Sequence, residues 1–128
     1  MKKLLLAIIF IFILDFSYVS SASATELKKC IEISHCAMEE WNVENISNPF
    51  EEIKKIIETS PRVKITELKE DYIHAEATSR IMKYVDDLEI LLAPERSKMI
   101  VRSESRVGEG DFGVNRKRIE KLKLALYK

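Results

Sequence analysis

Four segments of the chain alternate polar and apolar residues: 62–68, 72–79, 84–92 and 99–106. A period of two belongs to strands whose two faces meet different surroundings. The joints at 69–71, 80–83 and 93–98 are short, whereas a parallel connection needs about a dozen residues or more. The segments therefore read as successive antiparallel hairpins. On either side the period changes to that of a helix. Phe50, Ile53, Ile56 and Ile57 recur at helical spacing behind Asn48-Pro49, and Ser60-Pro61 ends the run, which predicts a helix over about 49–59 with Asn48 as its N-cap. Ile119, Leu122 and Leu126 lay one apolar stripe along a second helix over about 115–127.

Register follows from requiring each sheet face to be consistent. With Leu68 opposite Tyr72, Ser79 opposite Tyr84 and Leu92 opposite Met99, one face collects Val63, Ile65, Ile73, Ala75, Ala77, Leu88, Ile90, Leu92, Met99 and Val101. That is an apolar floor for the helices. The other face collects Lys64, Thr66, Tyr72, His74, Glu76, Thr78, Asp87, Glu89, Arg102, Glu104 and Arg106, with Lys64 opposite Glu76 and Glu89 between His74 and Arg102. The expected fold class is α+β, a four-stranded antiparallel sheet with two helices packed on one face. The expected order is helix, four strands, helix, all within one domain over 49–128.

Ahead of this pattern, Lys2 and Lys3 precede an apolar run of eleven residues from Leu4 to Leu14, and Ala22-Ser23-Ala24 follows. A positive start, a short apolar stretch and a small-x-small motif predict a cleaved export signal over 1–24, cut after Ala24 or Ala22. A membrane span needs about 20 apolar residues, and Asp15 interrupts this run, so an uncleaved anchor is the lesser reading. Lipidation at Cys30 would want small residues where Leu27-Lys28-Lys29 stand. The expected mature chain has no transmembrane span and is periplasmic or secreted.

The 128 residues carry 21 basic and 21 acidic side chains. Such a chain holds one domain, and without a cationic surplus nucleic acid is not an expected partner. Removing 1–24 leaves 19 basic and 20 acidic residues, many of them interleaved on the polar sheet face. Cys30 and Cys36 are the only cysteines. In an exported chain the pair favours a disulfide, within an extended segment over 25–48 that wraps the domain and anchors through Trp41. Free thiols, or a metal site from Cys30, His35 and Cys36, are the alternatives, although zinc-type spacing and a C-x-x-C motif are both lacking.

The polar face offers Tyr72, His74, Glu76, Asp87, Glu89, Arg102 and Arg106 as a candidate binding surface. Read as chemistry, His74 with Glu76, Asp87 or Glu89 would move protons or hold a metal. Read as structure, the same residues form a solvated lattice of cross-strand ion pairs. A Ser-His-Asp arrangement is disfavoured because Ser103 and Ser105 fall on the face away from His74. Gly108 to Gly113 spells G-x-G-x-x-G, yet Glu109 and Asp111 would repel a pyrophosphate and no strand follows. A turn with unusual backbone angles is expected instead. Arg116, Lys117 and Arg118 open the last helix against its dipole, so Arg118 is expected to pair with Asp86 or Asp111. With Lys121 and Lys123 this cluster is a solvated helix face or, alternatively, a contact for anionic lipid headgroups.

Tyr72-Ile73-His74-Ala75-Glu76, Tyr84-Val85-Asp86-Asp87-Leu88-Glu89 and Val101-Arg102-Ser103-Glu104-Ser105-Arg106-Val107-Gly108 resemble the family catalogued as domain of unknown function 1499. Asp111-Phe112-Gly113-Val114-Asn115-Arg116-Lys117-Arg118-Ile119 resembles its closing motif, and the Cys30-x5-Cys36 pair its N-terminal cysteines. The chain departs from the family between those cysteines, where Ile31-Glu32-Ile33-Ser34-His35 replaces the usual prolines and asparagine. The resemblance implies a shared fold and an envelope setting, and it supplies no catalytic residues. It directs attention to Asp86, Asp87, Arg102, Ser103, Ser105, Arg106, Asp111, Asn115 and Arg118 as a polar set. The expected function is a non-catalytic module that binds a small ligand or an envelope protein, without a cofactor or metal. A small hydrolase or metal-dependent enzyme on the polar face, and a structural envelope protein, are the alternatives.

Overall fold

The structure is a computed structural model that describes residues 26–108 and 110–128; the expected export signal and Glu109 lie outside the described residues. Its elements are β1 (Cys36–Asn42), α1 (Pro49–Thr59), β2 (Val63–Leu68), β3 (Tyr72–Thr78), β4 (Val85–Leu92), β5 (Lys98–Ser105) and α2 (Val114–Leu126). The strands form one antiparallel sheet in the order β1-β5-β4-β3-β2. The chain starts at one edge, crosses to the other through α1, and returns strand by strand until β5 meets β1.

The α+β class and the two helices hold, but the sheet has five strands where four were expected. The strand that the alternation hid is β1, within the segment expected to be extended and without periodicity. Its residues Ala37, Glu39 and Trp41 lie in register with Ser103, Val101 and Met99 of β5. A carboxylate therefore stands among the inward positions. Glu39 accepts hydrogen bonds there from Trp41 Nε1 at 2.8 Å and Lys123 Nζ at 3.3 Å, so its place on the sheet is satisfied by partners that no binary pattern displays.

The three expected hairpin registers are present over most of their length: Ile65 pairs with Ala75, Ala77 with Asp86, and Leu92 with Met99. A bulge between Ile65 and Glu67 then shifts the end of β2, so Leu68 faces Ile73 rather than Tyr72. Eight of the ten residues expected on the floor are buried, and Val63 and Ile65, on the edge strand, are half-buried. Phe50, Ile53 and Ile57 of α1 and Ile119, Leu122 and Leu126 of α2 close over this floor with Trp41. Each large side chain so buried contributes about 1.5–3 kcal/mol relative to exposure. Pro49 opens α1 as expected, but Asn48 is left-handed at φ 51° and its side chain does not cap. The first turn is instead held by Glu52 N–H donating to the Asn48 carbonyl at 3.1 Å. Ala75 and Ala77 are buried in the floor, and the helices meet each other as well as the sheet.

Candidate functional site

Three regions carry candidate chemistry. On the open sheet face, cross-strand registry brings the expected residues into two connected groups. Tyr72 donates its hydroxyl to Glu89 at 2.7 Å, and Arg102 reaches Glu89 at 3.1 Å and Glu104 at 2.6 Å. Burial, followed by the Glu89 hydrogen bond and charge, pushes the Tyr72 hydroxyl well above its ordinary pKa, which keeps it a neutral donor. Arg102 is itself buried, and its Nε lacks an acceptor among the described residues. In the second group Arg106 binds Asp87 through Nε at 2.9 Å and Nη2 at 2.8 Å, and Glu76 through Nη2 at 2.9 Å. The Arg106 hydrogen bonds hold the Asp87 carboxyl below the ordinary carboxylate range against the opposing effect of burial, with His74 adding to the lowering. Lys64 lies opposite Glu76 as expected, yet the Glu76 carboxylate is taken by Arg106.

His74 lies 2.7 Å from Asp87 through Nε2 and 2.7 Å from Thr66 Oγ1 through Nδ1. Thr66 was not singled out as a partner because the bulge that presents its hydroxyl has no signature in an alternating pattern. Hydroxyl, imidazole and carboxylate thus stand in a chain, as they do in nucleophilic hydrolases. Here, however, Asp87 is also gripped twice by Arg106. Among the described residues, no group of three or more His, Cys, Asp or Glu side chains is placed to hold a metal ion.

The second region lies beneath the start of α2. Asn115 is fully buried. Its Oδ1 accepts from Ser103 Oγ at 2.7 Å and Arg118 Nη1 at 2.9 Å. Its amide nitrogen has three acceptors within reach: Asp111 at 2.6 Å, Ser105 at 2.8 Å and the His35 carbonyl at 3.0 Å. Two hydrogens serve three acceptors, so one is shared. Asp111 accepts in turn from Gly113 N–H at 2.7 Å and Asn115 N–H at 3.2 Å. Burial alone would raise the Asp111 carboxyl, but hydrogen bonds from the Asn115 side chain and these amides outweigh it and hold it low. This carboxylate supplies the negative charge that the helix start needs. Arg118 pairs with Asp86 at 2.8 Å, the first of the two partners expected. The glycines do supply unusual angles, with φ 104° at Gly108 and 76° at Gly113.

Cys30 and Cys36 form a disulfide, so neither sulfur is free to bind a metal with His35. The loop they close is tied through its backbone to the end of β5 and to the glycine loop: Ser105 N–H donates to His35 O at 2.9 Å, and Asp111 N–H to Ser34 O at 3.1 Å.

The third region was not expected as a site. A cleft of about 360 Å³ opens between the C-terminal end of α1 and one side of α2 from Val114 to Ala125. Ile56, Ile57, Val63, Ala77, Leu122 and Ala125 floor it, while Arg62, Lys117, Arg118 and Lys121 stand around it. Asp86 is its one carboxylate and is already paired with Arg118. The basic cluster of α2 was the only signal in the sequence, because the floor is shared between elements far apart in the chain.

Residues 17–126 match the family model described as Protein of unknown function (DUF1499). The chain belongs to this family. A search of curated proteins finds no match to the chain. The polar residues through which the sequence resembles DUF1499 divide between two of these regions. Asp87, Arg102 and Arg106 lie in the sheet-face groups, whereas Asp86, Ser103, Ser105, Asp111, Asn115 and Arg118 all meet beneath α2. In this DUF1499 chain the second set builds the joint between helix, sheet and disulfide loop.

Proposed function

We propose that this chain is an exported, non-catalytic binding module, and that its ligand is a small anionic amphiphile held in the cleft between α1 and α2. The observation that carries this reading is the cleft's lining, an apolar floor beside four cations of which, among the described residues, only Arg118 has an ion-pair partner. A floor of that kind takes an acyl chain, and Arg62, Lys117 and Lys121 take a carboxylate or phosphate. The volume lies at the small end of ligand sites, which are about 300–1,000 Å³. Export is supported by the disulfide, which forms in oxidising compartments, and by the apolar run behind Lys2 and Lys3. Sequencing the N-terminus of the recovered protein should give a start at residue 25 or 23; an intact start would refute cleavage.

Decanoate is a suitable probe, with decanol and decyltrimethylammonium as uncharged and cationic controls. Decanoate should perturb the amide resonances of Lys117, Lys121 and Ala125, and the cationic control should not. Ala125→Leu fills the floor and should abolish the response while the fold survives. Equal responses to all three probes, or an unaffected Ala125→Leu variant, would exclude the site.

A hydrolase on the polar face has one observation in its favour, the Thr66–His74–Asp87 chain. Hydrolysis of p-nitrophenyl acetate above the rate of a Thr66→Val variant would establish it.

A further inference from the structure

The antiparallel order brings five chain segments to one end of the sheet: the disulfide loop before β1, the start of β2, the turn between β3 and β4, the glycine loop after β5, and the start of α2. Backbone hydrogen bonds confirm the assembly, from Asp111 to Ser34 and from Arg106 to Val85. Each of the three loops at this end lifts a large apolar side chain into solvent. Ile33 is 86% exposed, Ile81 83% and Phe112 99%. Met82 and Val107 are exposed beside them. The loops at the opposite end, 69–71 and 93–97, expose no large apolar side chain among the described residues.

Phe112 is the sharpest case. It holds φ at 53°, a region that disfavours bulky side chains, while its ring packs against nothing in the folded chain. Neither the backbone nor the core gains from a phenylalanine there.

Charge is distributed with the same polarity. Arg62, Arg80, Lys83, Arg116 and Lys117 surround the apolar tips, all are exposed, and none forms an ion pair among the described residues. Asp111 in the glycine loop is turned inward to Asn115, and Glu32 is the acid exposed in the disulfide loop. At the other end Glu44, Glu70, Asp71 and Glu95 outnumber Lys69 and Arg96 in the loops, and Glu51 and Glu52 stand in the first turn of α1.

We propose that this end of the sheet docks on an anionic phospholipid bilayer. Ile33, Ile81 and Phe112 enter the boundary between headgroups and acyl chains, and the five cations meet the phosphates. Apolar side chains ringed by Lys and Arg are the chemistry of interfacial attachment. The acidic end faces away from the surface, which fixes the orientation. The docking surface shares Arg62 and Lys117 with the ligand cleft, which opens at this end, whereas Ile33, Ile81, Phe112, Arg80, Lys83 and Arg116 belong to docking alone.

The test uses the full chain with vesicles of equimolar phosphatidylglycerol and phosphatidylcholine, and with phosphatidylcholine alone. Partition into the anionic vesicles should be at least roughly 30-fold stronger, and hydrogen exchange should slow at 31–34, 79–84 and 107–114. Replacing Arg80 and Arg116 together by Ala should weaken partition by roughly 20- to 30-fold, at about five-fold for each charge. Phe112→Asn with Ile81→Ser should weaken it by roughly ten-fold or more. Asn tolerates the left-handed backbone, so this variant should fold at least as stably and its loss cannot be put down to unfolding. Ala125→Leu should leave partition unchanged; a loss there would mean that the cleft captures single lipids, and would overturn docking. Protection confined to residues before 26 would do the same, as would self-association through the tips with vesicles ignored.

Discussion

On the open face of the sheet, Arg106 holds Glu76 and Asp87 at 2.8–2.9 Å while its side chain stays 43% exposed. Under α2, Arg118 holds Asp86 at 2.8 Å with side chains only 19% and 11% exposed. The distances match, but the surroundings do not. Water can replace any one partner of Arg106, and Asp87 keeps His74 if Arg106 leaves. Beneath α2 a removed partner leaves a group with no substitute, because Asn115, Ser103 and Asp86 are buried together. The contrast teaches that identical ion-pair geometry marks an adaptable surface in one place and a structural joint in the other. Arg102 stands between the extremes, on the open face but buried between Glu89 and Glu104.

The largest expected effect breaks the joint at its centre. Asn115→Leu keeps the branched shape and removes every side-chain hydrogen bond of Asn115, so the Ser103 hydroxyl loses its acceptor, the Ser105 hydroxyl and the His35 carbonyl each lose a donor, and Arg118 keeps only Asp86 and Ser103. With an unsatisfied buried group costing about 1–3 kcal/mol, a loss of about 3–5 kcal/mol is expected in urea unfolding. A loss under about 1 kcal/mol would mean that water enters and the joint is no different from the open face. Arg118→Ala comes next. It leaves Asp86 with no counter-charge, and for a pair this far from water about 2–3 kcal/mol is expected, below the full cost of a deeply buried pair. Adding Asp86→Ala should recover part of that loss.

The sequence made the open face legible and the joint only half so. Alternation in four segments was enough to pair Ile65 with Ala75, Ala77 with Asp86 and Leu92 with Met99, because a one-residue slip would turn every side chain to the wrong face. The same logic could not see β1, where inward Glu39 is satisfied by Trp41 and Lys123, or the bulge that turns Thr66 toward His74. Arg118 and Asp86 were foreseeable as cations at a helix start seeking an acid. The centre at Asn115 was not, since one of its ties runs to the backbone of a disulfide loop that has no pattern of its own. The cleft was hidden for a similar reason: its floor is assembled from α1, β2, β3 and α2.

Acid should weaken both regions. Asp87 and Asp111 are each held below their ordinary value of 3.8 when folded. Near that value the unfolded chain binds more protons than the folded one, so stability rises with pH there. Their contribution is complete above the unfolded value and is lost as the pH falls through the folded pKa. Unfolding midpoints in urea should therefore be level between about pH 7 and 5 and drop below about pH 4. Asp111→Asn and Asp87→Asn should each flatten that drop. Only the first should also lower stability at pH 7 clearly, because Asp111 caps α2 from inside the joint. Equal costs at pH 7 would erase the distinction between the two regions.

The smallest expected effect falls on the residue that looks most chemical. His74→Ala removes the contacts to Thr66 and Asp87, yet Asp87 retains both Arg106 bonds and Thr66 is exposed to water. A cross-strand pair on a half-exposed face contributes about 0.2–1 kcal/mol, so a loss below about 1 kcal/mol is expected, with decanoate binding unaltered. A larger loss would show that the lattice acts as one cooperative network. A double-mutant cycle between His74 and Arg106 resolves that case. Independent pairs give a coupling near zero, whereas a network through Asp87 gives a coupling comparable to either single loss.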